Sequence, residues 1–211
     1  MARGLPAFWS SIIGVPFIGV GLFLYLAETN HPAELGIPFI LFGIFIVGVG
    51  LYVHYIAAPK PPKLRENEEL IDDRHPTQRV ALAKILVSIP LLALALYLLF
   101  HTKEPYVYPT IAFITGLYFL SEGLQTYWTN SLTKYYITNQ RIVKEYRLLS
   151  LIRREIPFGK VRAVEIRKSP TEAIVGLGNV RVASGEGGTL EIVMQNIENT
   201  TDFADKIRNL I

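Results

Sequence analysis

A two-part fold is predicted: four transmembrane helices, then an antiparallel β-domain closed by one C-terminal helix. Three observations carry this. Only 18% of the 211 residues are charged and 50% are hydrophobic, whereas a soluble globular chain carries about 25% charged residues. The long apolar runs are confined to residues 1–128. From Thr133 the apolar period becomes two, and the last residues show a helical stripe. This composition excludes a single soluble domain, a disordered chain and a collagen-like scaffold. With no cysteine, disulfides, thiolate zinc sites, iron–sulfur clusters and cysteine nucleophiles are excluded as well.

A bilayer core takes about 20 mainly apolar residues in a helix. Runs of that length lie at 8–27, 37–57, 80–100 and 108–128, each bounded by polar or proline-containing sequence such as Asn30-His31-Pro32. The first run is too long for the apolar segment of a signal peptide, about 7–15 residues, and reads as a retained span. Pro16 and Pro90 lie inside helices and are expected to kink them, while Pro38 and Pro109 fall near first turns, where proline fits.

Lys/Arg placement sets the orientation. Arg3 precedes the first span, the 28–36 loop has no Lys or Arg, the 58–79 loop has five (Lys60, Lys63, Arg65, Arg74, Arg79), and the 101–107 loop has Lys103 alone. Both termini and the 58–79 loop are therefore expected in the cytoplasm of a multi-pass cell-membrane protein. Trp9, Tyr52, Tyr55, Tyr106 and Trp128 fall near span ends as interface anchors.

Ionisable groups inside spans are costly and are functional candidates. Lys84 sits about one turn inside the third span, Glu122 near the cytoplasmic end of the fourth, and His54 near that of the second. Helices three and four share a short loop, so a Lys84–Glu122 contact or shared polar pocket is expected. It serves either as an ion site or as a tether with a snorkelling lysine.

The 58–79 loop opens with the stiff run Pro59-Lys60-Pro61-Pro62-Lys63. The short acidic stretch 64–73 that follows is expected to be helical. Asp72, Asp73 and His75 offer metal-ligand atoms without a fixed geometry, so no metal site is expected. The better reading is a solvated loop whose acidic cluster pairs with the basic block at 141–168.

The β-domain reads as strands at 133–138 and 141–149 around Asn139-Gln140, a short strand at 155–158, one at 161–168, and a hairpin of 179–184 and 189–195 around Gly185-Glu186-Gly187-Gly188. Val180 and Val182 share one face, as do Leu190, Ile192 and Met194. A helix over 201–211 carries Phe203, Ile207, Leu210 and Ile211 as its stripe, with Thr200 or Thr201 as N-cap. About 80 residues suffice for one core.

Tyr135-Tyr136-Ile137-Thr138-Asn139-Gln140-Arg141-Ile142-Val143 resembles the opening motif of the bacterial pleckstrin-homology-like (YdbS-like PH) domain family. Ile156-Pro157 with Lys160-Val161 and Val164 resembles its middle segment, and Gly176-Leu177-Gly178-Asn179-Val180 the entry to a later strand. The resemblance covers 129–211. It implies a PH-like β-barrel of two antiparallel sheets capped by a C-terminal helix, placed after transmembrane helices, with no catalytic activity. No dinucleotide, Walker-type or metal-binding motif is present, so no cofactor is expected.

Residues 134–168 hold ten basic and three acidic residues. Lys144, Arg147, Arg153, Arg154, Arg162, Arg167 and Lys168 are the candidate surface, either for anionic lipid headgroups or a partner, or as a solvated face paired with the acidic loop. The two-residue turn Asn139-Gln140 is too short for a phosphoinositide pocket, and no aromatic platform interleaves these charges for nucleic acid. The expected function is presentation of a PH-like domain at the cytoplasmic membrane face for protein interaction or self-assembly. The alternative is a small transporter or channel component.

Overall fold

The computed structural model describes residues 5–27, 32–58, 63–103, 105–169, 172–173, 176–185 and 191–211. Arg3, Asn30, His31, Pro59 to Pro62, Pro170, the 186–188 part of the last hairpin turn and Leu190 lie outside the described residues. Two compact units emerge: Met1–Lys60 with Arg147–Ser150, and Pro61–Tyr146 with Leu151–Ile211. They do not coincide with the 128/129 boundary read from composition.

The first unit is a helical hairpin. Helix α1 (Pro6–Leu26) runs unbroken through Pro16, and α2 (Gly36–Tyr55) follows a 3-10 turn at Ala33–Leu35. Glycine sets their approach. A Cβ on Gly36 would lie 2.3 Å from the Gly21 carbonyl oxygen, and one on Gly43 2.6 Å from that of Gly14. Small residues let two helices pack backbone to backbone where lipid supplies no hydrophobic drive. Phe17 fills the seam against Phe39 and Phe42.

The second unit begins with strand β1 (Leu70–Arg74). This corrects the helical expectation for 64–73. That stretch is a turn followed by a strand, because the outer edge of β2 offers backbone partners that a short acidic helix could not. Helices α3 (Arg79–His101) and α4 (Val107–Leu132) follow, α3 running unbroken through Pro90. Helix α4 passes into β2 (Thr133–Thr138) with no linker, so the α3–α4 hairpin is an insertion between the first two strands of a sheet. This is why it groups with the β-domain.

Among the described residues, three helices have the length and apolarity to cross a membrane: Pro6–Leu26, α2 with its 3-10 turn (Ala33–Tyr55), and Arg79–His101. Helix α4 carries more polar residues, among them Thr115, Ser121, Glu122, Gln125 and Thr126. The chain is that of a membrane protein with a folded β-domain.

The remaining strands are β3 (Arg141–Arg147), β4 (Leu151–Pro157), β5 (Val161–Arg167), β6 (Leu177–Ser184) and β7 (Glu191–Glu198). One sheet has the order β1-β2-β3-β4 and the other β5-β6-β7. β1 pairs antiparallel with β2 (Asp73 opposite Tyr136), and β6 pairs with β7 (Val182 opposite Ile192). β4 starts four residues earlier than its sequence suggested, since Leu151-Ile152-Arg153-Arg154 lacks apolar–polar alternation. The C-terminal helix α5 (Thr200–Arg208) starts after Asn199 in the left-handed region. Thr200 is inside the helix and its hydroxyl bonds the Ile197 carbonyl at 3.1 Å, so neither threonine is the expected cap.

Both sheets and α5 share one core. Tyr135, Ile137, Ile142 and Ile156 meet Val180, Val182, Ile192 and Met194, with Phe203 and Ile207 from the helix. The α5 stripe ends at the half-buried Leu210, and Ile211 is exposed.

Candidate functional site

The β2–β3 turn is built from its own side chains. The Thr138 hydroxyl accepts N–H bonds from Gln140 (3.2 Å) and Arg141 (3.0 Å) and donates to the Arg141 carbonyl (3.0 Å). Asn139 accepts from the Glu69 N–H at 3.0 Å and donates to the Asn67 carbonyl at 3.0 Å. Gln140 donates to the Glu66 and Asn67 carbonyls at 3.3 and 3.2 Å. Residues 66–69 thus strap the turn, and Asn67 adopts a positive φ of 59° to make the bend.

Arg141 locks the strap. Its guanidinium donates to both Glu68 oxygens at 2.7 and 2.9 Å, to the Lys63 carbonyl at 3.2 Å, and to Glu155 on β4. The Arg141 side chain is 5% exposed and that of Glu68 is fully buried. A bidentate fork suits guanidinium and carboxylate geometry. The Arg141 hydrogen bonds outweigh burial and hold the Glu68 carboxyl down at about 2. Glu68 in turn raises Arg141 above its ordinary value. Further pairs tie β1 down: Lys134 to Asp73 at 2.7 Å and Lys206 to Asp72 at 2.8 Å. Burial pushes the Asp72 carboxyl up, but hydrogen bonds from Lys206 and Arg74 outweigh it and hold it below the ordinary range. His75 Nδ1 lies 3.2 Å from the Thr133 carbonyl. Asp72, Asp73 and His75 are thus each engaged separately.

The seven basic candidates are spread over both sheets. Lys144 points inward, donating to the Val193 carbonyl at 2.9 Å and lying 5.8 Å from the Tyr135 ring. Burial, aided by the charge of Arg154, lowers its ammonium pKa. Arg153 bonds the buried Glu145 at 3.1 Å, and Arg154 reaches the Glu191 carbonyl at 3.4 Å. Arg162, Arg167 and Lys168 lie exposed on or just after β5 in the other sheet. Arg147 ends β3 and groups with the α1–α2 unit.

Within the α3–α4 hairpin, Lys84 Nζ lies 3.0 Å from Glu122 Oε2 and 3.3 Å from the Thr126 hydroxyl. Their side chains are 33% and 41% exposed. Polar bonds continue toward the sheet: Gln78 donates to Ser131 at 3.0 Å, and Asn130 to the Thr77 carbonyl at 2.9 Å. His54 belongs to the other unit. It is buried against Tyr55, and its Nδ1 has no hydrogen-bond partner among the described residues.

Sequence reasoning missed β1 and the Glu68–Arg141 lock. A signal existed in part, since the acidic cluster at 66–73 was expected to pair with the basic block, and Arg141 stands in the opening motif.

A family model described as the bacterial PH domain matches residues 80–211. No match appears among curated proteins or among solved structures. The matched region starts at α3, well before the 129 expected from the motifs, so the family unit includes the inserted helical hairpin. With two antiparallel sheets, a C-terminal helix over their shared core, and a match over most of its length, the chain belongs to the bacterial PH domain family.

Proposed function

We propose that this is a non-enzymatic, multi-pass membrane protein that holds a PH-like barrel rigidly at the cytoplasmic face, where it binds a protein partner or a second copy of itself. The observation that carries it is the insertion of α3–α4 between paired strands. β1 and β2 are neighbours in one sheet, so the hairpin leaves and re-enters the domain on the same side. Where α3 crosses a bilayer, α4 must cross back. Its polar residues are then accommodated by Lys84–Glu122 pairing and hydroxyls bonded to their own helix, such as Thr115 to Ile111 at 2.8 Å. With α1 and α2 the crossings number four, and the five Lys/Arg of the 58–79 loop favour a cytoplasmic domain. The charges around the β2–β3 turn are consumed by one another, which supports a binding or assembly role over catalysis.

The test is photo-crosslinking from the exposed β5 face in native membranes, with a C-terminal epitope as topology marker. A discrete protein adduct and an epitope reached only after permeabilisation are expected. An epitope reached from outside intact cells would overturn the orientation, and no adduct from any β5 position would overturn the interaction. The Lys84–Glu122 pair favours a second reading, a small transporter or channel component. Solute flux in proteoliposomes that vanished in Glu122→Gln would place that reading first.

A further inference from the structure

The β3–β4 turn is the most conspicuous unexplained surface. Leu149 is 89% exposed, and the next residues along the chain, Leu151 and Ile152, are 52% and 49% exposed. Three large apolar side chains within four residues at a hairpin tip are costly in water. Basic residues bracket them in sequence: Arg147 before, Arg153 and Arg154 after. By its contacts the tip, Arg147–Ser150, groups with α1 and α2. The contact is specific, since the Tyr52 hydroxyl donates to the Leu148 carbonyl at 2.7 Å. Tyr52 lies one turn from the end of α2 at Tyr55, about 5 Å along the axis at 1.5 Å per residue. Tyrosines at span ends sit at headgroup level, which sets the tip at the same depth.

We propose that the β3–β4 tip is a membrane-inserting loop: Leu149 enters the acyl boundary while Arg147 and Arg154 beside it meet anionic phospholipid headgroups. Apolar residues dipping below a basic rim are the chemistry of interfacial binding, where buried apolar area and attraction to anionic lipid add. The same arrangement disfavours a purely aqueous role, because it would leave Leu149 in water at 89% exposure. The proposal rests on α2 crossing a bilayer, and it is independent of which protein the domain meets.

The chain has no cysteine, so single cysteines report single sites. The full-length protein in vesicles with and without phosphatidylserine would carry a spin label at Ser150→Cys. Two reference positions serve as controls, Gly48→Cys in α2 and Gly159→Cys before β5, where an added Cβ meets nothing within 4 Å. The expected result is oxygen accessibility at 150 close to that at 48, strengthened by phosphatidylserine, with 159 in water. Adding Leu149→Ser should lower the inserted-to-free ratio about tenfold or more. Water accessibility at 150 with 48 in lipid would overturn the inference alone. Water accessibility at 48 would overturn the membrane reading itself. Protection at 150 that tracks protein-to-lipid ratio and ignores phosphatidylserine would assign the tip to a contact between copies and also overturn the proposal.

Discussion

The two helical hairpins of this chain are held by different physics. In α1–α2 the contact is steric, with glycines at 14, 21, 36 and 43 bringing backbone against backbone, and no ion pair links the two helices among the described residues. In α3–α4 glycine is used at 116 and 123, and polar bonds add to it: Lys84 to Glu122, Gln78 to Ser131 and Asn130 to Thr77. The second hairpin is clamped at its base by β1 and β2 of one sheet and by the Glu68–Arg141 lock beside them. A steric seam resists pH and fails on added volume. An ionic clamp tolerates volume and fails on lost charge. The comparison teaches that the PH-like domain and its hairpin form one mechanical piece, with α1–α2 as a separately stabilised element.

The largest expected break is Arg141→Ala. Removing one partner of a buried pair leaves an uncompensated charge and costs about 3–5 kcal/mol. Hydrogen exchange should accelerate over 63–74 and the β2–β3 turn, while the α1–α2 amides stay protected. Equal acceleration in both units would dissolve the distinction.

Acid should act on the same unit. The folded Glu68 pKa of about 2 lies below its ordinary 4.5. Between these values the unfolded chain binds more protons, so stability falls as pH falls. The contribution is fully present above about pH 4.5 and lost as pH drops through about 2, amounting to about 3 kcal/mol from linkage. Unfolding of the β-domain followed from pH 6 to pH 2 should show this slope, and Glu68→Gln should flatten it.

Gly43→Val is the reciprocal experiment. The new side chain meets the Gly14 carbonyl and the Ile18 backbone, and overpacking costs about 1–3 kcal/mol. Protease sensitivity should rise in α1–α2 alone. The smallest effect is expected from Glu122→Gln. Its pair is more than a third exposed on the glutamate side, so about 0–1 kcal/mol is expected once screening is allowed for. A loss well above that in proteoliposomes, but not in detergent, would show that lipid desolvates the pair.

How much of this was legible in the sequence depends on the range of the interactions. The apolar runs mark α1, α2 and α3 because lipid selects length and composition locally. Strands β2, β3, β5 and β6 are visible as period-two apolar patterns, and Thr138-Asn139-Gln140-Arg141 as a turn. β1 was hidden, since Leu70-Ile71-Asp72-Asp73-Arg74 carries two aspartates that argue against a strand. It becomes one only because the edge of β2 and the cations Lys134 and Lys206 are there to receive it. The basic residues were countable but not sortable. Lys144 turned inward and Arg153 took Glu145, and nothing local distinguishes them from Arg167 and Lys168.

What the sequence alone determined is therefore composition-driven: an apolar helical half, a basic β-rich half, and a motif pointing to the bacterial PH family. What only the tertiary structure decided is how the halves interlock. Residues 63–70 are drawn into the β-domain by a guanidinium more than seventy positions away, and a helical hairpin is threaded between two paired strands. Both depend on contacts between residues remote in sequence, where pairing across a sheet edge and burial of a charge outweigh the preferences of the segment itself.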